Sequence, residues 1–220
     1  MLKNKLLKTD IFYINSKTTG GHYAFKTLKS VKPFENNMRE CKSIKLQDSD
    51  IVVDIGAYVG EYSMYASRQG VKKVYSYEPT PRTFKLLKKN KFDNMIIYNR
   101  AVVGGDNKHV ELFISKGIGV TNSIAKKKNK LKSVKVKAIK YEHAVKGATV
   151  VKIDVEGAEY GYNIIQPSIR AIILEFHPLV GEPWRDYANK IMEELQLAGF
   201  KAVIQPTFKS GWNLTGSWMR

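Results

Sequence analysis

The sequence predicts an α/β fold: a doubly wound, mostly parallel sheet with an antiparallel edge pair and an added hairpin. Three observations carry this. A short apolar run, Ile51–Ile55, passes through Gly56 and Gly60 into a segment with helical spacing. The same strand-then-turn-or-helix pattern returns at 73–77, 149–154 and 171–175, as layered α/β proteins require. Between them, residues 108–140 break the rhythm with two segments that alternate with period two.

Taken in order, residues 1–47 show no clean period, and Pro33, Glu35, Asn36 and Asn37 mark a break. They are expected to form an N-terminal cap or lid of helical or mixed structure, ahead of a main domain over 48–220. After the Ile51–Ile55 strand, a helix over 60–69 is stopped by Gly70. Lys73–Tyr77 is the second strand. Thr80 then stands at a helix cap with Pro81 in the first turn, and that helix runs to about Asn90. Met95–Val103 reads as one third strand, ending at Gly104-Gly105. His109–Ile114 and Ser133–Ile139 flank a polar loop and read as the added hairpin. Buried strands over 149–154 and 171–175 follow, then a helix over 184–198 stopped by Gly199. Segments 200–204 and 212–218 form the antiparallel edge pair.

The chain has 220 residues, 43% apolar and 26% charged, enough for one three-layer domain with a full core. No apolar run reaches the roughly 18–20 residues that span a membrane. The start, Met1-Leu-Lys-Asn-Lys-Leu-Leu-Lys, lacks the apolar centre of a secretory signal, so cytoplasmic residence is the default expectation. One cysteine, Cys41, excludes an intrachain disulfide or a thiolate metal cluster. The formal net charge of +17 has two readings: a solvated lysine-rich surface, or a polyanionic partner. The densest basic run, Lys126-Lys-Lys-Asn-Lys-Leu-Lys132, has no interleaved aromatics on which bases would stack.

The stretch Ile51-Val-Val-Asp-Ile-Gly-Ala-Tyr-Val-Gly60 suits a nucleoside-bearing cofactor, with Asp54 closing the strand and glycines allowing close backbone approach. Glu78, closing the next strand, can accept from both ribose hydroxyls. The three-glycine dinucleotide fingerprint is broken, because Tyr58 stands where its middle glycine belongs. A pyrophosphate fits poorly there, and S-adenosylmethionine, which has no phosphates, fits better.

Two further strand ends carry chemistry. In Val150-Val-Lys-Ile-Asp-Val-Glu-Gly-Ala-Glu159, Lys152, Asp154 and Glu156 share one face of the strand. Asp154 lies at the carboxyl end, where such sheets place ligands. Lys152 reads as a partner for a carboxylate, and Glu159 as a charge favoured at a helix start. In Ala171-Ile-Ile-Leu-Glu-Phe-His-Pro178, four apolar residues lead into Glu175 and His177. An imidazole is well suited to accept a hydroxyl proton near neutral pH. His22, His109 and His143 have no comparable setting.

These stretches, with Tyr77-Glu-Pro-Thr-Pro81 and the Asn122-Ser123 pair, resemble the FkbM family of S-adenosylmethionine-dependent methyltransferases over about residues 50–178. The resemblance implies a class I, Rossmann-like methyltransferase fold and methylation of a hydroxyl oxygen, often on sugars. It implies that Asp54, Gly56, Gly60 and Glu78 hold the cofactor, with Tyr58, Pro79 and Ala101 beside it. Asp154, Glu175 and His177 then line the acceptor side. On this reading His177 is the base, Glu175 orients it and Asp154 positions the acceptor. A divalent cation on these three side chains is a rival that is not expected. Tyr58 departs from the asparagine frequent in the family, and Ala138-Ile-Lys-Tyr141 replaces a Thr-Leu-Asp. The expected acceptor is a sugar or glycan hydroxyl. The alternative is ribose methylation of nucleic acid by a protein with a basic surface. Base methylation is disfavoured, because the turn Val155-Glu-Gly-Ala158 lacks the prolines and aromatic that grip a flipped base. A third class, cofactor binding without catalysis, conflicts with the polar residues at two strand ends.

Overall fold

The computed structural model describes residues 13–16, 23–26, 39–114, 124, 132–177, 184–209 and 213–220. Strands β1 (Tyr13–Ser16) and β2 (Tyr23–Lys26) pair antiparallel, and a short helix α1 (Arg39–Ser43) follows. The main body comprises β3 (Ile51–Ile55), α2 (Glu61–Arg68), β4 (Lys73–Tyr77), α3 (Pro81–Lys89) and β5 (Met95–Tyr98). It continues through β6 (Ala101–Val103), β7 (His109–Ile114), β8 (Lys132–Lys140), α4 (Tyr141–Ala144), β9 (Val150–Asp154) and β10 (Ala171–Phe176). Helix α5 (Trp184–Leu197), β11 (Lys201–Lys209) and β12 (Asn213–Met219) close it.

Seven strands form the central sheet in the order β11-β12-β10-β9-β3-β4-β5. From β10 to β5 all pairings are parallel, while β12 runs antiparallel to both β10 and β11. This is the α/β architecture expected, edge pair included. The hairpin is also present, β7 against β8, as part of a separate three-stranded sheet β6-β8-β7.

That smaller sheet corrects one expectation. The run 95–103 is two strands, not one: β5 stays in the central sheet and β6 pairs parallel with β8. The break falls at Asn99-Arg100, where the Asn99 amide donates to the carbonyls of Glu78 (2.8 Å) and Pro79 (2.9 Å). Anchoring that side chain beneath the β4 exit turns the chain away from the edge. Ala101 and Val103 then pack with Leu112 and Val136.

Alternation along the strands divides the core between two helical layers. Val52, Val150, Ala171 and Ile173 face α1, α2 and α3, packing with Ile44, Met64 and Leu87. Val53, Val151, Ile153, Ile172 and Leu174 face the opposite way, against Tyr141 of α4 and Ile191 and Leu195 of α5. Cys41 and Ile44 are buried in the first layer, so the chain just before Ile51 already belongs to the core. After β9 only a 3-10 turn (Glu159–Gly161) forms, which leaves the strand exits on that side open.

Candidate active site

The turn after β3 needs backbone freedom. Gly56 has φ +80°, and a Cβ built there would fall on the Asp154 carbonyl oxygen. The N–H groups of Gly56 and Ala57 both donate to the Tyr77 carbonyl, at 3.0 and 2.9 Å. Tyr58 adopts a left-handed φ of +53°, a conformation that favours glycine, at the position where the sequence lacks one. The Tyr58 N–H donates to Glu78 Oε2 at 3.0 Å, and the Thr80 N–H donates to Oε1 at 2.8 Å. One buried carboxylate thus ties the β3 loop to the β4 loop. Burial pushes the Glu78 carboxyl up to about 7, against these hydrogen bonds, with nearby Asp54 adding to the rise. Thr80 sits at the α3 cap position, yet its side chain makes no cap bond; the hydroxyl turns to Glu78 instead.

Beneath the loop, Asp54 is fully buried. Its Oδ2 accepts from the Ser63 hydroxyl (2.6 Å), which also bonds Ser76 (2.7 Å). Lys152, the cross-strand neighbour of Asp54, sets its ammonium 3.5 Å from Asp54 Oδ1, 3.5 Å from Asp154 Oδ2 and 3.5 Å from the Gly56 carbonyl. Burial alone would lower the lysine pKa, but the Asp154 and Asp54 charges outweigh it and raise the value, so the ammonium stays charged.

At the other side of the cavity, strands β9 and β10 place Asp154 opposite Glu175. His177 Nε2 stands 3.6 Å from Glu175 Oε1 and 3.6 Å from Glu156 Oε1, while Nδ1 is 3.8 Å from Glu159 Oε1. Glu156 reaches this position through a left-handed backbone, φ +56°. Asp154, Glu175 and His177 offer ligand atoms within 4.8 Å of one another, a grouping compatible with a cation. The Lys152 ammonium already supplies positive charge beside Asp154.

Glu159 differs from its sequence reading. It is not an exposed charge at a helix start but a fully buried tie. Its Oε2 accepts from the Gly157 N–H at 2.9 Å, and its Oε1 from the His177 N–H at 2.6 Å. Burial pushes its pKa up to about 8 despite these bonds. The Tyr160 hydroxyl adds a bond to the His177 carbonyl at 3.1 Å. The exit of β10 is therefore fixed from the β9 loop.

All of this surrounds one cavity of about 460 Å³. Of the residues singled out in the sequence, Asp54, Gly56, Tyr58, Glu78, Pro79, Ala101, Asp154, Glu175 and His177 line it. Gly60 is not among the lining residues. It caps α2 at φ +101°, where a Cβ would meet Leu87 Cδ1 at 2.7 Å, so it shapes the turn. Asn122 and Ser123 lie outside the described residues. Glu156, placed beside Asp154 at the strand end by the sequence, lines it too, whereas sequence reasoning missed Glu61, Tyr62 and Thr215. The signal for the first two was adjacency to the glycine loop. Nothing in the strand pattern marked Thr215, which lies opposite Glu175 across β10 and β12.

Among the described residues, six buried side-chain polar atoms lack a hydrogen-bond partner. Five of them, Asp54 Oδ1, Glu61 Oε1, Tyr62 OH, His177 Nδ1 and Thr215 Oγ1, belong to residues lining this cavity. Such atoms are costly to leave unpaired, and their concentration marks a place for a polar ligand. Burial pushes Glu61 up to about 8, with Asp54 and Asp154 adding to the rise and Lys152 opposing it. Carboxylates along the cavity, a glycine floor that admits no Cβ and a tied acidic residue after β4 fit a cationic, phosphate-free nucleoside. S-adenosylmethionine is such a molecule.

Comparison with known proteins agrees. No curated protein matches the sequence. A solved structure described as a precorrin-6y C5,15-methyltransferase from Geobacter metallireducens GS-15 is 14% identical, at TM-score 0.49, covering 89% of this chain and 92% of that one. Trm5b from Pyrococcus abyssi is 13% identical at TM-score 0.47, covering 96% of this chain and 56% of that one. TYW2 from Pyrococcus horikoshii, solved with MeSAdo, is 16% identical at TM-score 0.47, covering 96% and 72%. The family model of the methyltransferase FkbM domain matches residues 54–202, which takes in the glycine loop, the Glu78 tie, the Lys152 bridge and the His177 cluster. With two thirds of its length under that one model, the chain belongs to the FkbM family of S-adenosylmethionine-dependent methyltransferases.

Proposed function

We propose that this methyltransferase acts on a hydroxyl oxygen of a sugar or glycan. When bound, the cofactor supplies an electrophilic methyl group. What the chain must add is alignment of the acceptor oxygen and removal of its proton. One observation carries the reading: the imidazole of His177 lines the cavity with carboxylates of Glu156 and Glu175 each 3.6 Å from Nε2. The two carboxylates flank the ring nitrogen that would take the proton of an acceptor hydroxyl. They also offer acceptors to neighbouring hydroxyls of a polyol.

In the proposed arrangement Asp54, Glu61 and the turn at Gly56 hold the methionine end of the cofactor. Glu78 takes the ribose diol, and Pro79 and Ala101 flank the adenine. His177 accepts the acceptor proton, Glu175 orients the ring, and Asp154 holds the acceptor hydroxyl beside the Lys152 ammonium. Cys41 of α1 lines the same cavity, which supports the view that the segment before residue 48 closes the acceptor side.

Mass spectrometry of neutral mono- and oligosaccharides, RNA and DNA, after incubation with enzyme and cofactor, tests the reading. A one-methyl gain on a saccharide, lost in His177→Ala and unchanged by EDTA, is the expected result. Methyl transfer to RNA or DNA but to no saccharide would overturn it. Loss of activity in EDTA with recovery in magnesium would replace His177 as base with a bound cation.

A further inference from the structure

We propose that Thr215, with Tyr62, selects the acceptor: their hydroxyls hold a hydroxyl of the saccharide other than the one methylated. This role rests on the acceptor being a saccharide, as proposed above, and adds the residues that choose which one enters.

The placement follows from strand register. Across the antiparallel pair of β10 and β12, Glu175 stands opposite Thr215 and Ile173 opposite Ser217. Thr215 therefore shares a face with Glu175, and through the parallel register of β9 with Asp154. In the order β12-β10-β9-β3, it lies three strand spacings from β3 and its glycine turn, roughly 14 Å at the usual interval. Only one spacing separates it from Glu175. It belongs to the acceptor end of the cavity and not to the cofactor end.

Helix α1 closes that end. Ser43 of α1 bonds Ser217 of β12 at 2.7 Å, and Ser217 is fully buried. This clasp brings Cys41, two residues before Ser43, and Thr215, two residues before Ser217, to the cavity wall. Tyr62, from the first turn of α2, is 3% exposed and packs in one cluster with Cys41 and Ile173.

Among the described residues, Cys41 and Thr215 are the two lining residues outside 54–202, the span matched by the family model. The matched span supplies the cofactor loops and the His177 cluster. The far wall comes from this chain's own flanks, where acceptor choice can be set without disturbing methyl transfer.

The two hydroxyls also want a partner. Thr215 is 5% exposed, and among the described residues neither its Oγ1 nor the Tyr62 hydroxyl makes a hydrogen bond. Each can donate one bond and accept others, which matches a neutral hydroxyl of a polyol. Cys41 and Ile173 beside them offer apolar surface and no charge, so nothing there would balance an ionised group.

Thr215→Val keeps the side-chain shape and removes only the hydroxyl. The test compares this variant with the wild-type chain in acceptor kinetics, S-adenosylhomocysteine affinity and melting temperature. The acceptors are D-glucose, D-galactose, D-mannose and their disaccharides, then the monodeoxy forms of whichever sugar gains a methyl group. The acceptor KM should rise by about tenfold or more with kcat retained. S-adenosylhomocysteine affinity should not change, and the melting temperature should not fall, because the hydroxyl makes no bond in the free protein. The wild-type chain should lose about tenfold or more in kcat/KM on one monodeoxy sugar that the variant uses as well as the parent sugar. Tyr62→Phe should relax selection at the same sugar position. An unchanged acceptor KM, the same deoxy-sugar profile in both proteins, or a lowered melting temperature would each overturn the role of Thr215 and leave the sugar reading standing. No methyl gain on any saccharide by the wild-type chain would sink both together.

Discussion

Lys152 and Asp54 face each other across adjacent parallel strands, ammonium to carboxylate at 3.5 Å, and the same ammonium stands 3.5 Å from Asp154. One cation thus neutralises an acid of β3 and an acid of β9. A buried charge that loses its partner is far more costly than a pair that was never built.

Lys152→Met should therefore destabilise the protein by about 3–5 kcal/mol, because Asp54 is left charged and buried. Denaturant unfolding measures this, and adding Asp54→Asn should recover part of the loss. A double variant no more stable than the single one would show that the pair does not carry the energy. The lysine pKa is raised in the folded state, so its contribution is full below the unfolded lysine value and is lost only as pH rises through the folded one.

Glu78 gives the cofactor site a pH dependence. Its carboxyl is pushed up to about 7 by burial, and the ionised form is the better acceptor for ribose hydroxyls. S-adenosylhomocysteine affinity should rise as pH increases through about 7. Glu78→Gln should flatten that rise and weaken binding by about 1.5–3 kcal/mol. Calorimetry between about pH 5.5 and about 8.5, about one and a half units either side of the midpoint, reads both effects. An unchanged pH profile in the variant would remove Glu78 from the ribose.

Glu159 gives the fold a pH dependence of the opposite sense to an ordinary paired carboxylate. Its folded pKa of about 8 lies well above the ordinary glutamate range. The stability it contributes is full below the unfolded pKa and is lost as pH rises through about 8. Glu159→Gln, which keeps one acceptor oxygen for two backbone donors, should cost about 1–3 kcal/mol in mildly acidic solution. The deficit should shrink above pH 8. Unfolding free energies of both proteins across that range decide it, and a deficit that grows with pH would contradict the assignment.

Two glycines with similar φ separate backbone strain from steric exclusion. Gly147 has φ +75° with nothing near a built Cβ, whereas Gly56 has φ +80° with the Asp154 carbonyl in the way. Gly147→Ala should cost about 1–2 kcal/mol, the left-handed penalty alone. Gly56→Ala should cost more than that and abolish cofactor binding, because β3 and β9 must separate. Equal thermal shifts for the two variants would remove the close approach as the reason for glycine at 56.

The parallel strands were legible because each is a short apolar run ended by a charge or a glycine, as at Asp54-Ile-Gly56 and Asp154-Val-Glu-Gly157. The helix ends at Gly70 and Gly199 were legible too, and both glycines take positive φ, +82° and +84°. The division of 95–103 was not, since Asn99 looks like any polar strand residue until its amide finds the Glu78 and Pro79 carbonyls. At the site, Asp154, Glu175 and His177 announced themselves by ending hydrophobic strands. Glu159 did not, because a carboxylate two residues past a glycine reads the same whether it is solvated or enclosed. Its partners, the N–H groups of Gly157 and His177, depend on the β10 exit approaching the β9 loop. Thr80 was placed correctly and explained wrongly: the hydroxyl serves Glu78 instead of the helix end.

The bond from His177 to Glu159 runs through the main-chain N–H, not through the imidazole. The frame around residue 177 therefore has a main-chain part, which any side chain keeps, and an imidazole part, with Nδ1 3.8 Å from the same carboxylate. Exchanging the side chain removes only the second. Exchanging Glu159 releases the loop whatever the chemistry. The main-chain tie thus tolerates change at 177 and none at 159, two positions eighteen residues apart in sequence and joined by a hydrogen bond.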